Sequence, residues 1–343
     1  VRLDDFAFDL PEELIAQQPT AKREASRLLV LDRAAGTINH RSFAAIGEWF
    51  RPGDLLIAND TRVIPARLLG RKESGGQIEG FLVRREGGDE KVWRCLTRSS
   101  KPPRAGSRVI FADGSQAVFL GGGEPPLQRV RFESAGDFSA WLEANGEMPL
   151  PPYIRRAAGT LDRERYQTVF ARHAGALAAP TAGLHFTPEI LADLTARGVE
   201  VQALTLHVGL GTFLPVRVAD PREHRMHHES YLVPEATAAA VNRARAEGRR
   251  IVALGTTSTR ALEAAADADG RVAAGPGETD IFIYPGYRFR AVSGLVTNFH
   301  LPRSTLLMLV AAFAGQEAVL EAYRQAVTAR YRFFSYGDCM LIL

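Results

Sequence analysis

Between Val63 and about Phe132 the chain changes texture, and this change limits the possible folds more than any other feature. Apolar residues come there in short alternating runs at Ile78–Val83, Val92–Leu96, Arg108–Phe111, Ala117–Leu120 and Gln128–Phe132. Turns separate them, at Gly75-Gly76, Gly87-Gly88, Asp113-Gly114 and Gly121-Gly122-Gly123. Many short strands joined by Gly-rich turns indicate a small β-barrel or sandwich. On both sides, strand patterns alternate with helix patterns, which is α/β material. The expected organisation is a discontinuous α/β core domain of residues 1–62 and 136–343, carrying an inserted β-barrel at 63–135.

In the α/β part, polar or Gly-rich turns follow five expected strands. Asp54–Ala58 runs into Asn59-Asp60, and Val199–Val208 into His207 to Thr212. Arg250–Leu254 runs into Gly255–Arg260, Asp280–Tyr284 into Pro285-Gly286-Tyr287, and Gly294–Thr297 into Asn298-Phe299-His300. Open α/β sheets bind ligands at the carboxyl ends of their strands. That puts Asp60, His207, Arg260 and His300 in one expected pocket.

The stretch from Pro180 to Pro215 adds a second histidine loop. His185 precedes a helix that Thr187 caps, Pro188 opens and Gly198 ends. His207 sits at the far end of the strand that follows, beside Gly209, Gly211 and Thr212. Histidine exchanges protons near neutral pH, so a loop with His185 and a loop with His207 around one helix–strand unit suit a ligand site. The alternative is two ordinary turns with hydrogen-bonded histidines. At Gly255 a strand meets a helix through Thr256, Thr257 and Ser258, with Arg260 one turn on. Such a helix start presents free N–H groups to an anion. Neither a Walker A loop nor a Gly-x-Gly-x-x-Gly fingerprint is present. Other expected helices are Pro11–Gln18, Ser42–Phe50, Arg163–Phe170, Pro234–Ala246, Thr305–Ala314 and Glu317–Tyr331; Leu28–Leu31 reads as a buried strand.

Charge points to a partner. The whole chain carries a net +3, yet Thr61–Ala135 has 14 Lys or Arg against 8 Asp or Glu. A basic face on a neutral body suits a polyanion such as RNA; a solvated basic surface is the plainer reading. Cys95 and Cys339 belong to no paired motif, which argues against a disulfide framework or thiolate zinc. His224, His227, His228 and Glu229 lack the helical His-Glu-x-x-His frame, so no metal is expected. No apolar run approaches the ~18 residues of a membrane span. Val1–Asp9 has four charges and no apolar signal core, and a cytoplasmic protein is expected.

Several motifs together resemble the S-adenosylmethionine:tRNA ribosyltransferase-isomerase family of queuosine biosynthesis. They are Arg2-Leu3 to Glu12, Asn59-Asp60-Thr61-Arg62-Val63-Ile64-Pro65-Ala66-Arg67, the Pro180 and Thr205 stretches, Gly255–Arg260, Asn298–Met308 and Tyr331–Leu341. They span essentially the whole chain. Departures are Ser99, where the family commonly has Pro, and Cys339, where it has Ala. The resemblance implies an α/β domain plus a β-barrel and no prosthetic group. S-adenosylmethionine serves as a ribosyl donor, and the acceptor is 7-aminomethyl-7-deazaguanine in the wobble position of a tRNA. The products are epoxyqueuosine-tRNA, adenine and methionine. Such chemistry needs a base for the carbon beside the sulfonium, an acid for departing adenine, and a neutral attacking amine; His185 and His207 are the expected proton-transfer residues, with Asp60 and His300 behind them. Gly209, Gly211, Thr212, Thr256, Thr257, Ser258 and Arg260 are the expected S-adenosylmethionine contacts. Arg67, Arg71, Lys72, Arg98 and Lys101 are the expected tRNA contacts, and a monomer is expected. The competing readings are an RNA-binding module without catalysis and a cofactor-dependent enzyme on small substrates.

Overall fold

A strand covered on both faces reads as an unbroken apolar run, and strand β1 (Arg27–Asp32) is one. Leu29 and Leu31 enter one core while Leu28 and Val30 enter another. β2 (Thr37–Ser42), β3 (Leu55–Asn59) and the short β4 (Thr61–Val63) follow. Next come β5 (Arg67–Lys72), β6 (Gln77–Arg85), β7 (Val92–Ser99), β8 (Arg108–Ile110), β9 (Gln116–Phe119) and β10 (Gln128–Glu133). Later strands are β11 (His173–Ala176), β12 (Glu200–Leu206), β13 (Glu229–Val233), β14 (Ile251–Leu254), β15 (Gly275–Thr279), β16 (Gly294–Asn298) and β17 (Cys339–Ile342). The helices are α1 (Phe138–Asn145), α2 (Thr160–Arg165), α3 (Pro188–Ala196), α4 (Glu235–Ala246), α5 (Gly255–Ala265), α6 (Thr305–Ala314) and α7 (Gln316–Thr328). This computed structural model describes residues 1–123, 125–209, 218 and 220–343.

Two compact units are present: Val1–Arg62 with Pro152–Arg156 and Glu164–Leu343, and Val63–Pro151 with Ala157–Arg163. In the first, nine strands form one mixed sheet in the order β15-β13-β12-β3-β14-β16-β17-β1-β2. Its centre, β12-β3-β14-β16, is parallel throughout. β3 and β14 repeat the two-sided burial of β1: Leu55, Ile57, Ile251 and Ala253 face one core, Leu56, Ala58, Val252 and Leu254 the other. Alanines of α4 and the apolar side of α6 and α7 cover the first face. Phe43, Ile46, Phe186 and Leu194 of α3 cover the second. Because the four central strands are parallel, their carboxyl ends emerge on one edge. That edge carries Leu206-His207, Asn59-Asp60, Leu254-Gly255 and Asn298-Phe299-His300.

The second unit contains a closed six-stranded barrel in the order β10-β7-β6-β5-β8-β9. All of its pairings are antiparallel. Val109, Ala117, Val130 and Cys95 fill it. This unit runs past the expected boundary at 135. Helix α1 lays Phe138 and Trp141 against Phe132, with ring centroids 5.3 and 5.7 Å apart, and the Trp141 indole donates to Asp113 at 2.8 Å. Those aromatic contacts bind 136–151 to the barrel.

Other expectations need correction. The strand expected over Asp280–Tyr284 is instead β15, at Gly275–Thr279. The 281–284 segment runs without regular structure, with Ile283 buried and Phe282 and Tyr284 packed on the core. Its apolar character reflects burial rather than pairing. Ser42–Phe50 and Pro11–Gln18 form only the 3-10 turns Phe43–Trp49 and Glu12–Leu14. The helix expected over Arg163–Phe170 is α2, which stops at Arg165. β2, β4, β5, β11, β13 and β17 were not foreseen. Both cysteines are free and buried. Among the described residues no single helix is long and apolar enough to cross a membrane.

Candidate active site

Asn59 ends β3 and ties the sheet edge together with all its hydrogen-bonding capacity. Its Oδ1 accepts from the N–H groups of Thr61 (3.1 Å) and Leu206 (3.0 Å). Its Nδ2 donates to the Leu206 carbonyl (2.9 Å) and to Thr257 Oγ1 (3.2 Å). The ends of β3 and β12 and the first turn of α5 are thus one hydrogen-bonded assembly.

Beside this assembly lies a cavity of about 320 Å³, within the range of small-molecule sites. Its apolar wall includes Leu3, Tyr153, Val208, Phe299, Leu306 and Phe334. Its polar groups include Thr256, Thr257, Thr297, Asn298, His300 and Ser304. Two helices begin at its wall. α5 starts there at Gly255, and α6 starts there behind Ser304, whose Oγ caps the Leu307 N–H at 3.2 Å. Helix N-termini favour an anion by their free N–H groups and dipole. Arg303 (φ 57°) and Phe334 (φ 73°) also line this cavity, in the left-handed region that costs a side-chain-bearing residue of order 1–3 kcal/mol. Hydrogen bonds hold them there: Arg303 N–H donates to the Phe6 carbonyl (3.0 Å), and Asn298 Nδ2 donates to the Phe334 carbonyl (2.8 Å).

Of the expected acid–base residues, His300 lines this cavity. Its N–H donates to Tyr323 Oη (2.9 Å), and its Nε2 meets Thr297 Oγ1 at 2.8 Å. The Thr297 hydroxyl donates onward to the Asn298 carbonyl at 3.4 Å. Burial pushes the His300 pKa down to about 3, so the ring is neutral at pH 7. Phe299 is packed at 5.1–5.5 Å centroid distance against Phe333, Tyr323 and Tyr331, which fixes the backbone on either side.

His185 is not in the cavity wall. It is buried behind Asn298, with Nε2 3.3 Å from Asn298 Oδ1, Nδ1 2.7 Å from Ser26 Oγ, and its ring 5.0 Å from that of Phe43. Burial lowers its pKa to about 4; the Asn298 contact opposes this, and Arg23 and Arg332 add to it. Both nitrogens are engaged, so His185 positions Asn298. His207 is half-buried, its Nδ1 2.7 Å from Thr61 Oγ1. Its pKa is lowered, first by burial and then by His173, with Asp60 opposing. Asp60 is buried, and its Oδ1 accepts from Thr205 Oγ1 at 2.6 Å. Neither His207 nor Asp60 reaches the cavity wall. The expected single pocket is therefore two neighbouring clusters.

The expected S-adenosylmethionine contacts divide in the same way. Thr256 and Thr257 line the cavity. Ser258 turns back to the Leu254 carbonyl (2.8 Å). Arg260 lies elsewhere: its guanidinium is buried in an ion pair with Glu229 and a 3.3 Å bond to the Ile281 carbonyl. Glu229 also accepts the Gly209 N–H at 3.1 Å. Gly211 and Thr212 lie outside the described residues. In the barrel unit, Arg71, Arg98 and Lys101 are exposed, and the half-buried Lys72 donates to the Lys101 carbonyl at 2.8 Å. Arg67 is committed to Glu79 (2.5 Å) and Glu147 (2.7 Å). Among the described residues no group of three or more His, Cys, Asp or Glu is placed to hold a metal. His228 instead lies 3.9 Å from Asp280, and His224 stands edge-on to Phe282.

The sequence model of the family described as "Queuosine biosynthesis protein" matches residues 3–342. The chain belongs to that family. A relative from Syntrophotalea carbinolica, named S-adenosylmethionine:tRNA ribosyltransferase-isomerase, is 65% identical over 343 residues, covering 100% of each chain. One of the same name from Geobacter metallireducens is 59% identical over 342 residues, again covering 100% of each. The crystal structure of S-adenosylmethionine tRNA ribosyltransferase from Thermotoga maritima is 41% identical. It covers 99% of this chain and 100% of its own, with a TM-score of 0.57. The sequence did not single out Thr297, Ser304 or Phe334 as residues of the cavity wall, or Glu229 as the partner of Arg260. Asn298 was visible as a polar residue at a strand end. The left-handed backbone of Phe334 and Arg303 had no local signal.

The depressed histidines make stability depend on pH. A histidine whose folded pKa lies below its unfolded value of about 6.5 binds fewer protons folded than unfolded. The favourable difference is complete above pH 6.5. It is lost as pH falls toward about 4 for His185 and about 3 for His300. At pH 5 each costs ~2 kcal/mol. The urea midpoint should therefore drop between pH 7 and pH 5; equal midpoints would show that these rings are not buried as described.

Proposed function

We propose that this chain is an S-adenosylmethionine:tRNA ribosyltransferase-isomerase. In this reading it moves the ribosyl group of S-adenosylmethionine onto the amine of 7-aminomethyl-7-deazaguanine in a tRNA, with loss of adenine and methionine. The observation that carries the reading is the end-to-end match, at 65% identity, to a relative of that name. The geometry supplies what such chemistry needs. The amino-acid carboxylate fits the N-termini of α5 and α6, with Thr256, Thr257 and Ser304 as hydroxyl donors. The adenine fits the apolar wall at Phe299, Phe334 and Leu306. His300, held neutral by burial, takes the proton from the carbon beside the sulfonium. His185 acts through Asn298 as a positioning residue, and Arg260 with Glu229 fixes Gly209. The reaction uses no prosthetic group or metal. On the barrel, Arg71, Lys72, Arg98 and Lys101 contact tRNA phosphates, while Arg67 serves the barrel itself. A tRNA substrate supports a cytoplasmic location, and in this reading the chain acts as a monomer.

Incubation with S-adenosylmethionine and precursor-bearing tRNA should release adenine and methionine together. Binding of tRNA without release would leave an RNA-binding module. Turnover of S-adenosylmethionine without any tRNA affinity would leave an enzyme of small substrates.

A further inference from the structure

Next to the cavity, and outside it, stands a pair that the reaction scheme above has not used: Asp60, expected among the acid–base residues, and His173, which no motif singled out. Asp60 is buried, and its Oδ1 is held by Thr205. Its Oδ2 lies 3.7 Å from Nε2 of His173, whose side chain is 60% exposed. The backbone enforces the pairing: the Asp60 carbonyl accepts the N–H groups of Arg172 (2.7 Å) and His173 (3.2 Å). A buried carboxylate behind an imidazole whose other edge meets solvent is the arrangement of a general base. Such contacts are often long without substrate and shorten when it binds.

We propose that His173, backed by Asp60, is the base that removes a proton from the amine of the nucleic-acid substrate before that amine attacks. The inference rests on the proposed ribosyl-transfer reaction and deepens it. An alkylamine is mostly protonated near pH 7, and its lone pair is then unavailable. With Nε2–H directed at Asp60, Nδ1 of His173 is free to accept. The ammonium N–H bond breaks, its electron pair stays on the amine nitrogen, and the proton forms a new bond to Nδ1. The resulting imidazolium is stabilised by the Asp60 carboxylate, and the freed pair forms the new N–C bond to the ribosyl group, from which adenine departs with the electron pair of its C–N bond and methionine with that of the C–S bond. Among the described residues, Asp60 at the end of β3 and His207 at the end of β12 are titratable side chains that face His173. His207 is less suited to the task. Its ring rests on Gly175, where a Cβ would come within 2.8 Å of it, and Thr61 occupies its Nδ1.

Position supports the division of labour. Asn59, the residue before Asp60, donates to Thr257 in the cavity wall. Ala178, Ala179 and Pro180, just beyond β11, line the cavity too. The dyad is thus joined to the cavity yet itself open to solvent, where a polymer can present one base.

The test uses the full chain with S-adenosylmethionine and precursor-bearing tRNA, followed in single turnover from about pH 7 to about pH 9.5. His173→Gln should react about 10²–10³-fold more slowly than wild type near pH 7. That deficit should shrink as pH rises, because free amine increases about tenfold per pH unit below its pKa. Asp60→Asn should show the same trend with a smaller deficit. Melting temperature and tRNA affinity of His173→Gln should match wild type, since the side chain is exposed. A deficit that is constant across pH, or absent, overturns the assignment while leaving the reaction standing. A wild-type protein that releases no adenine overturns both.

Discussion

Replacing His300 with alanine should lower the single-turnover rate by about 10²–10⁴-fold, the usual weight of a general base. The fold should survive, because the backbone N–H bond to Tyr323 remains and only one side-chain bond, to Thr297, is removed. His185→Ala should behave in the opposite way. It removes a ring that is packed on Phe43 and bonded on both nitrogens, so it should cost stability by ~1–3 kcal/mol. Its rate per folded molecule should fall far less than that of His300→Ala. Melting temperature and single-turnover rate on the same samples separate the two. If His185→Ala is the slower at full folding, the base is at His185 and the cavity assignment is reversed.

Binding of tRNA should weaken steeply with salt. Four phosphate contacts, from Arg71, Lys72, Arg98 and Lys101, give a log–log slope of roughly −3 to −4. Between 50 and 200 mM salt that is a loss of about 10²-fold. The Arg71→Ala, Lys72→Ala, Lys101→Ala triple variant should flatten the slope by about 2–3, with affinity for S-adenosylmethionine unchanged. An unchanged slope moves the RNA surface away from this face of the barrel. Arg67 stands apart: its change to alanine leaves Glu79 and Glu147 unpaired, so it should lower barrel stability more than the salt slope.

Much of this was legible in the chain because local chemistry and tertiary context agreed. The barrel showed itself through period-two alternation, and its Val92 and Gln128 strands begin where the pattern placed them. The sheet edge was legible because Asn59, His207, Gly255 and His300 each follow a buried apolar run. What misled was sharing of character between different environments. The 281–284 segment is apolar for packing, not pairing, and β15 with its Gly275 and Pro276 carries little strand signal. Arg260 looked like an anion ligand because nothing in its own stretch announces Glu229, 31 residues earlier. His185 and His300 are equally histidine in sequence. Only the neighbours brought by other elements, Ser26 and Phe43 for one and the cavity for the other, set their environments apart.

The central claim is that S-adenosylmethionine gives up its ribose rather than its methyl group. The direct measurement follows two labels, one in the ribose carbons and one in the methyl group, through reaction with precursor-bearing tRNA. The ribose label should appear in tRNA at one equivalent per adenine released, while the methyl label leaves with methionine. Methyl label in the tRNA, with adenine still attached to the sulfur-bearing product, would contradict the account.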